Sequence, residues 1–195
     1  MVTVASKPYK AQKGSTSKEV SKVREAGTEY GPGKKLKINY KRACDCGHTN
    51  INCLTAKEWL KCQIGVWQFY YDGKDIRDKT VHPATFPVSL CKKVIELFTH
   101  VGELVVDPFV GSGTTLVAAQ SLNRNAVGFD LQKKYIDLCK NRLSSDDLFN
   151  KAKQLAIQDD ARNISKYFDP ETVSLLWTSP PYANLLNRKR TNKSR

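Results

Sequence analysis

The sequence predicts an α/β protein, an open sheet of parallel strands joined by right-handed crossovers. Three observations predict it. Short apolar runs end in carboxylates, as in Leu104-Val105-Val106-Asp107 and Ala126-Val127-Gly128-Phe129-Asp130, the pattern of strands buried on both faces. Stretches of helical periodicity separate those runs. A glycine-rich turn, Gly111-Ser112-Gly113, stands at the first strand-to-helix junction.

The elements follow in order. Thr55 caps a short helix that begins before Lys57-Glu58-Trp59-Leu60. Val88 to Thr99 puts Leu90, Cys91, Val94, Leu97 and Phe98 on one helical stripe. Leu104-Val105-Val106 is a buried strand, and Thr114 to Leu122 is a helix. Ala126 to Asp130 is the second strand, followed by a helix over Lys133 to Leu143 with Ile136, Cys139 and Leu143 on one face. Leu155-Ala156-Ile157, ending in Asp159-Asp160, is a third strand. Val173 to Trp177 is a fourth, running into Thr178-Ser179-Pro180-Pro181-Tyr182. Trp59 and Trp67 are expected in the core, and His100 at the surface.

The charge is uneven. The 195 residues hold 32 Lys+Arg against 19 Asp+Glu, a net of +13. Residues 1–42 carry a net of +8 and residues 188–195 a net of +5, so residues 43–187 are neutral. A neutral body with two basic ends is unlike a uniformly basic histone-like chain, and it suits a polyanionic partner. No apolar run reaches the length of a membrane span, and the start lacks a secretory signal's apolar stretch. The expected compartment is the cytoplasm, with reduced cysteines. The organisation expected is a basic arm over 1–42, a small Cys/Trp segment over 43–81, a core over 82–187 and a basic tail over 188–195.

Two motifs carry chemistry. In Asp107-Pro108-Phe109-Val110-Gly111-Ser112-Gly113-Thr114-Thr115 the glycines let backbone approach a ligand at a helix start. Asp130 ends the next strand 17 residues beyond Gly113, where dinucleotide-type folds keep a ribose-binding carboxylate. Leu116 replaces the third glycine of the dinucleotide fingerprint, and no P-loop lysine follows. Thr178-Ser179-Pro180-Pro181-Tyr182 lies at the carboxyl edge of the fourth strand, with two prolines fixing its backbone and Tyr182 offering an aromatic face.

His82-Pro83-Ala84-Thr85-Phe86-Pro87, segment 107–115, Asp130, Asp160-Ala161-Arg162 and segment 178–182 together resemble the S-adenosylmethionine-dependent amino-methyltransferases of DNA, which modify cytosine-N(4) or adenine-N(6). The resemblance spans about residues 52–195. It implies a Rossmann-like methyltransferase sheet with helices on both faces, of which this chain supplies four of the family's seven strands. It implies that Thr85 and Phe86 border the methionine end of the cofactor. Asp107, Phe109, Gly111, Gly113 and Thr114 shape its pocket, Asp130 binds the ribose hydroxyls and Asp160 faces the adenine amine. Ser179, Pro180, Pro181 and Tyr182 hold the target base. Ser before Pro-Pro resembles the cytosine-amine enzymes. Methylation at carbon 5 needs a Pro-Cys nucleophile, and none of the eight prolines precedes a cysteine.

The missing strands suggest that a second polypeptide, or a second copy, completes the sheet and the target recognition. A permuted or split enzyme of a restriction–modification or phage methylation system is the leading expectation. An RNA methyltransferase and an inactive DNA-binding subunit are the alternatives. Arg188, Lys189 and Arg190 are expected on DNA phosphates beside the base. Cys44, Cys46, His48 and Cys53 are candidate zinc ligands by residue type, but they lack the C-x-x-C knuckle and no second pair follows. Reduced cysteines in a loop, with no metal, are the expectation there.

Overall fold

The computed structural model describes residues 35–63, 65–73, 85–143 and 152–181. His82, Tyr182, Arg188, Lys189, Arg190 and the arm up to residue 34 lie outside the described residues.

The chain forms α1 (Ala56–Lys61), α2 (Val88–Phe98), β1 (Leu104–Asp107), α3 (Thr114–Ser121), β2 (Asn125–Asp130), α4 (Lys133–Leu143), β3 (Gln154–Gln158), a 3-10 helix (Ala161–Lys166) and β4 (Leu175–Leu176). The sheet order is β3-β2-β1-β4, and every pairing is parallel. Among the described residues this is a four-stranded, Rossmann-like α/β sheet. Parallel pairing forces crossovers, and two successive steps in one direction put α3 and α4 on the same face. The order reverses between β1's two neighbours, β2 and β4, and open sheets of this kind bind ligands at such a switch.

The core lies between the helices and the sheet. Cys91 and Ile95 of α2, Val105 of β1, Leu116, Ala118 and Ala119 of α3, Ala126 of β2, and Ile136 and Cys139 of α4 are buried together. The buried stripe of α2 is Cys91, Val94, Ile95 and Leu97. Phe98, expected on it, is 57% exposed, because the helix ends there and Thr99 turns into extended backbone. Alternation along β2 turns Phe129 to the opposite face, where its ring meets Tyr167 and Phe168 at the end of the 3-10 helix.

Two glycines set the approach of backbone to backbone. A Cβ on Gly128 of β2 would sit 2.4 Å from Val110 Cγ2, so only glycine lets the turn after β1 fold over β2. Gly113 adopts φ +84 as the residue before α3, and a Cβ there would meet Cys139 Sγ at 2.8 Å. Left-handed backbone suits glycine because no Cβ clashes.

Three expectations need correction. The arm boundary expected after residue 42 is not where packing begins: Ile38 is buried, Leu36 N–H donates to the Tyr167 carbonyl, and Lys35 pairs with Asp169. A buried side chain, a backbone hydrogen bond and an ion pair hold that stretch. Trp59 is half-buried and Trp67 is exposed, since no residue of α1 is buried and neither ring joins the core. Val173 to Trp177 narrows to the two-residue β4, although Ser174 N–H donates to the Leu104 carbonyl and Trp177 N–H to the Val106 carbonyl.

Candidate active site

Every strand delivers its carboxyl end to one edge. Asp107 ends β1, Asp130 ends β2, and Asp159 and Asp160 follow β3. The loop after β4 brings Ser179, Pro180 and Pro181 to the same place. There they border a cavity of about 320 Å³ that is also lined by Thr85, Phe86, Phe109, Gly111, Thr114, Asp130 and Asp160. That volume is in the range of small-molecule sites, roughly 300–1,000 Å³.

Asp130 is held at the rim by backbone. Its Oδ2 accepts from Gly111 N–H at 3.3 Å and its Oδ1 from Gln132 N–H at 2.8 Å. Gly111 is itself fixed from behind, because its carbonyl accepts from Cys139 Sγ at 3.3 Å. Burial pushes the Cys139 thiol up to about 12, with Arg142 pulling the other way, so it stays a donor. Arg142 also donates to the Ser112 carbonyl at 2.6 Å. The glycine-rich turn is thus tied to α4 at two points.

Asp107 and Gly113, expected to shape the pocket, do not themselves line the cavity. Gly113 permits the close packing of α3 on Cys139. Asp107 is buried and works as a hub. Its carboxylate accepts from Thr115 Oγ1 at 2.5 Å, Thr178 Oγ1 at 2.7 Å and Phe109 N–H at 3.0 Å. One side chain therefore joins the turn after β1, the start of α3 and the loop after β4. Burial raises its pKa against the pull of those three donors, and the Asp130 charge adds to the rise.

Asp160 lines the cavity, but its carboxylate is engaged locally. It caps the 3-10 helix through Arg162 N–H at 2.9 Å and pairs with the Arg162 guanidinium at 2.6 Å. The Arg162 hydrogen bonds pull its pKa down to about 2. Asp159, expected to have no separate task, also lines the cavity and accepts from Tyr167 Oη at 2.5 Å. Leu131, Gln132 and Tyr135 line it as well. No motif marks them, but their place just after the strand-ending Asp130 is a signal that reaches them.

The donors and acceptors suit a ligand with polar ends. Thr85 Oγ1 is buried and has no hydrogen-bond partner among the described residues. Its own carbonyl accepts from Tyr71 Oη at 2.9 Å, and Phe86 stacks edge-on against Trp177 with centroids 6.0 Å apart. A buried hydroxyl without a partner is costly unless a ligand satisfies it. Tyr182, Arg188, Lys189 and Arg190 lie outside the described residues.

Comparison with known proteins identifies the lineage. A family model described as DNA methylase, N6_N4_Mtase, matches residues 1–141. It begins upstream of the residues that carry the sequence resemblance and stops before the Thr178–Tyr182 loop. Type II methyltransferase M.HpaI of Haemophilus parainfluenzae is 37% identical over 81 residues, which cover 42% of this chain and 26% of that protein. M.HindIII of Haemophilus influenzae is 44% identical over 66 residues, 34% of this chain and 21% of that protein. The chain thus spans about a quarter of the length of the curated relatives it matches. The solved M1.HpyAVI-SAM complex is 40% identical over 34% of this chain and 33% of that chain, with a TM-score of 0.33. With the family match extending over most of its length, the chain belongs to the N6_N4_Mtase family of DNA methylases.

Proposed function

We propose that this chain carries the cofactor pocket and catalytic loop of an S-adenosylmethionine-dependent DNA methyltransferase of the restriction–modification type. Its target is the exocyclic amine of a flipped-out base, cytosine-N(4) in preference to adenine-N(6). One observation carries the reading: the glycine-rich turn, Asp130 and the Ser179-Pro180-Pro181 loop border one cavity at the carboxyl edge of the sheet.

In this reading Asp130 accepts from the ribose hydroxyls and the Gly111 backbone allows close approach. Thr85 Oγ1 gains its missing partner from the ligand, and Asp160 faces the adenine ring. The cofactor supplies a methyl group already activated on sulfonium, so the chain needs no covalent nucleophile. Ser179 Oγ and the Pro180 carbonyl accept the amine protons and hold that nitrogen in line, a gain in orientation rather than in bond chemistry. The base leaves the duplex to reach them, and Tyr182 stacks on it. Ser179 ahead of the two prolines supports the cytosine preference by family resemblance.

A second polypeptide or second copy pairs with the β4 edge in this reading. The support is that β4 ends the sheet among the described residues, and an open strand edge is a ready site for pairing. Incubation with methyl-labelled cofactor and DNA tests the function, with sedimentation of the same sample. Label recovered as N(4)-methylcytosine in DNA is expected. Label in RNA alone, or cofactor binding with no transfer under any condition, overturns the reading. A stable, active monomer overturns the partner.

A further inference from the structure

The loop at residues 44–53 and the turn between α2 and β1 meet at four side chains that no part of the methyl-transfer chemistry uses. Cys44, Cys46, Cys53 and His100 bring one ligand atom each to within 4.8 Å of one another. The Sγ atoms of Cys44 and Cys46 are 3.4 Å apart, those of Cys44 and Cys53 3.2 Å, and those of Cys46 and Cys53 3.8 Å. His100 Nδ1 lies 3.5, 3.4 and 3.3 Å from the sulfurs of Cys44, Cys46 and Cys53. A zinc ion with bonds of about 2.3 Å to sulfur and 2.0–2.1 Å to nitrogen sets tetrahedral edges of roughly 3.8 and 3.5 Å. The four atoms already stand close to that tetrahedron. They are too far apart for a disulfide, whose S–S length is about 2.05 Å.

We propose that Cys44, Cys46, Cys53 and His100 form a Cys3His structural zinc site that fastens residues 43–54 to the α2–β1 turn. The fourth ligand is His100 and not His48, which is exposed and outside the cluster. A histidine 47 residues beyond Cys53 is invisible to ligand-spacing rules, and only the fold brings it in.

The surroundings are built for the site. Asn52 and Cys53 adopt φ +50 and +70 in a tight turn closed by two hydrogen bonds between Ile51 and Leu54. That strained backbone aims the Cys53 sulfur inward. Ala43 N–H donates to the Val101 carbonyl at 2.7 Å, and Asn52 Nδ2 donates to the Leu97 carbonyl at 2.5 Å, so both ends of the loop are docked. Arg42 donates to the carbonyls of Cys44 and Cys46 at 3.2 and 2.6 Å. A guanidinium there complements the net negative charge of three thiolates around a dication, as outer partners of metal sites do. Four protein ligands close the coordination shell, the hallmark of a structural rather than a catalytic zinc. His100 precedes β1, at the opposite end of that strand from the cavity edge, so the site acts on folding.

The test uses the full chain, purified without chelators and dialysed. Elemental analysis is expected to find about one zinc per chain. His48→Ala retains it, while His100→Ala and Cys53→Ser lose it. Because those two variants risk misfolding, cobalt(II) is also titrated into metal-stripped wild-type chain. Intense visible bands of tetrahedral cobalt-thiolate that saturate at one equivalent support the site. Wild-type chain with neither zinc nor such bands overturns the proposal. So does undiminished zinc in a folded His100→Ala chain, or a Cys44–Cys53 disulfide found by peptide mapping of the non-reduced chain.

Discussion

Asp159 and Asp160 are identical and adjacent, yet the fold gives them different work. Asp160 is tied to Arg162 at the surface, whereas Asp159 accepts from Tyr167 Oη and from Asn163 Nδ2. The Tyr167 hydrogen bond holds the Asp159 carboxyl below its usual range, and burial together with the same bond pushes Tyr167 up to about 12. The signs of the two effects differ. The depressed Asp159 contributes stability that is present above the ordinary carboxylate range and lost as pH falls through its folded value. The raised Tyr167 contributes stability that is present below the ordinary phenol value near 10 and lost as pH rises through about 12. Tyr167→Phe keeps the ring against Phe129 and removes both effects. It is expected to cost about 1.5–3 kcal/mol near neutral pH, the value of a hydrogen bond to a charged group. Urea unfolding at several pH values measures the loss. In the variant the acid-side slope flattens and the Asp159 carboxyl titrates closer to its normal range by NMR. An unchanged carboxyl titration counts against the hydrogen bond.

Among the elements, the strands and helices from 88 to 158 were legible to within a residue or two. Their apolar runs and 3.6-residue stripes are local properties, bounded at Asp107, Gly113 and Asp130, where backbone chemistry changes. β4 was harder to bound because among the described residues it pairs only with β1, and its flanks continue the hydrogen bonds without full ladder geometry. The capping box on α1 was half legible. Thr55 accepts from Glu58 N–H at 3.3 Å, and the Glu58 carboxylate accepts from Thr55 N–H at 2.8 Å. What sequence did not reveal is the role of Gly128, which reads as an ordinary small residue in a strand. Its Cα faces Val110 of the turn after β1, so Gly128→Ala is expected to overpack the buried face. The expected cost is about 1–3 kcal/mol, read as a lower urea midpoint with an unchanged slope. Cofactor binding should weaken too, because Val110 leads directly into Gly111. A midpoint equal to wild type would show that the turn has room to move.

For the whole molecule, the charge is divided between a neutral body and basic ends. The body from 43 to 187 is neutral and the last eight residues carry a net of +5. If Arg188, Lys189 and Arg190 contact phosphates beside the catalytic loop, their replacement by Gln flattens the salt dependence of DNA binding. The expected change is about three phosphates' worth of slope. Cofactor affinity should be unchanged, since the tail follows the loop rather than the pocket. A salt slope equal to wild type refutes that placement. No helix among the described residues is long and apolar enough to cross a membrane.

The sequence by itself determined the α/β class, the strand and helix order, and the gathering of Asp130, the glycine-rich turn and Ser179-Pro180-Pro181 at one sheet edge. Those follow from periodicity and from the rule that parallel strands point their carboxyl ends the same way. Only the tertiary structure decided which side chains do the holding. Asp107 became a buried hub because Thr115 and Thr178 arrive from different elements. His100 joined the three cysteines because α2 ends beside a loop that precedes it by about 50 residues. Contacts of that kind depend on distance in space, which no local pattern of residues encodes.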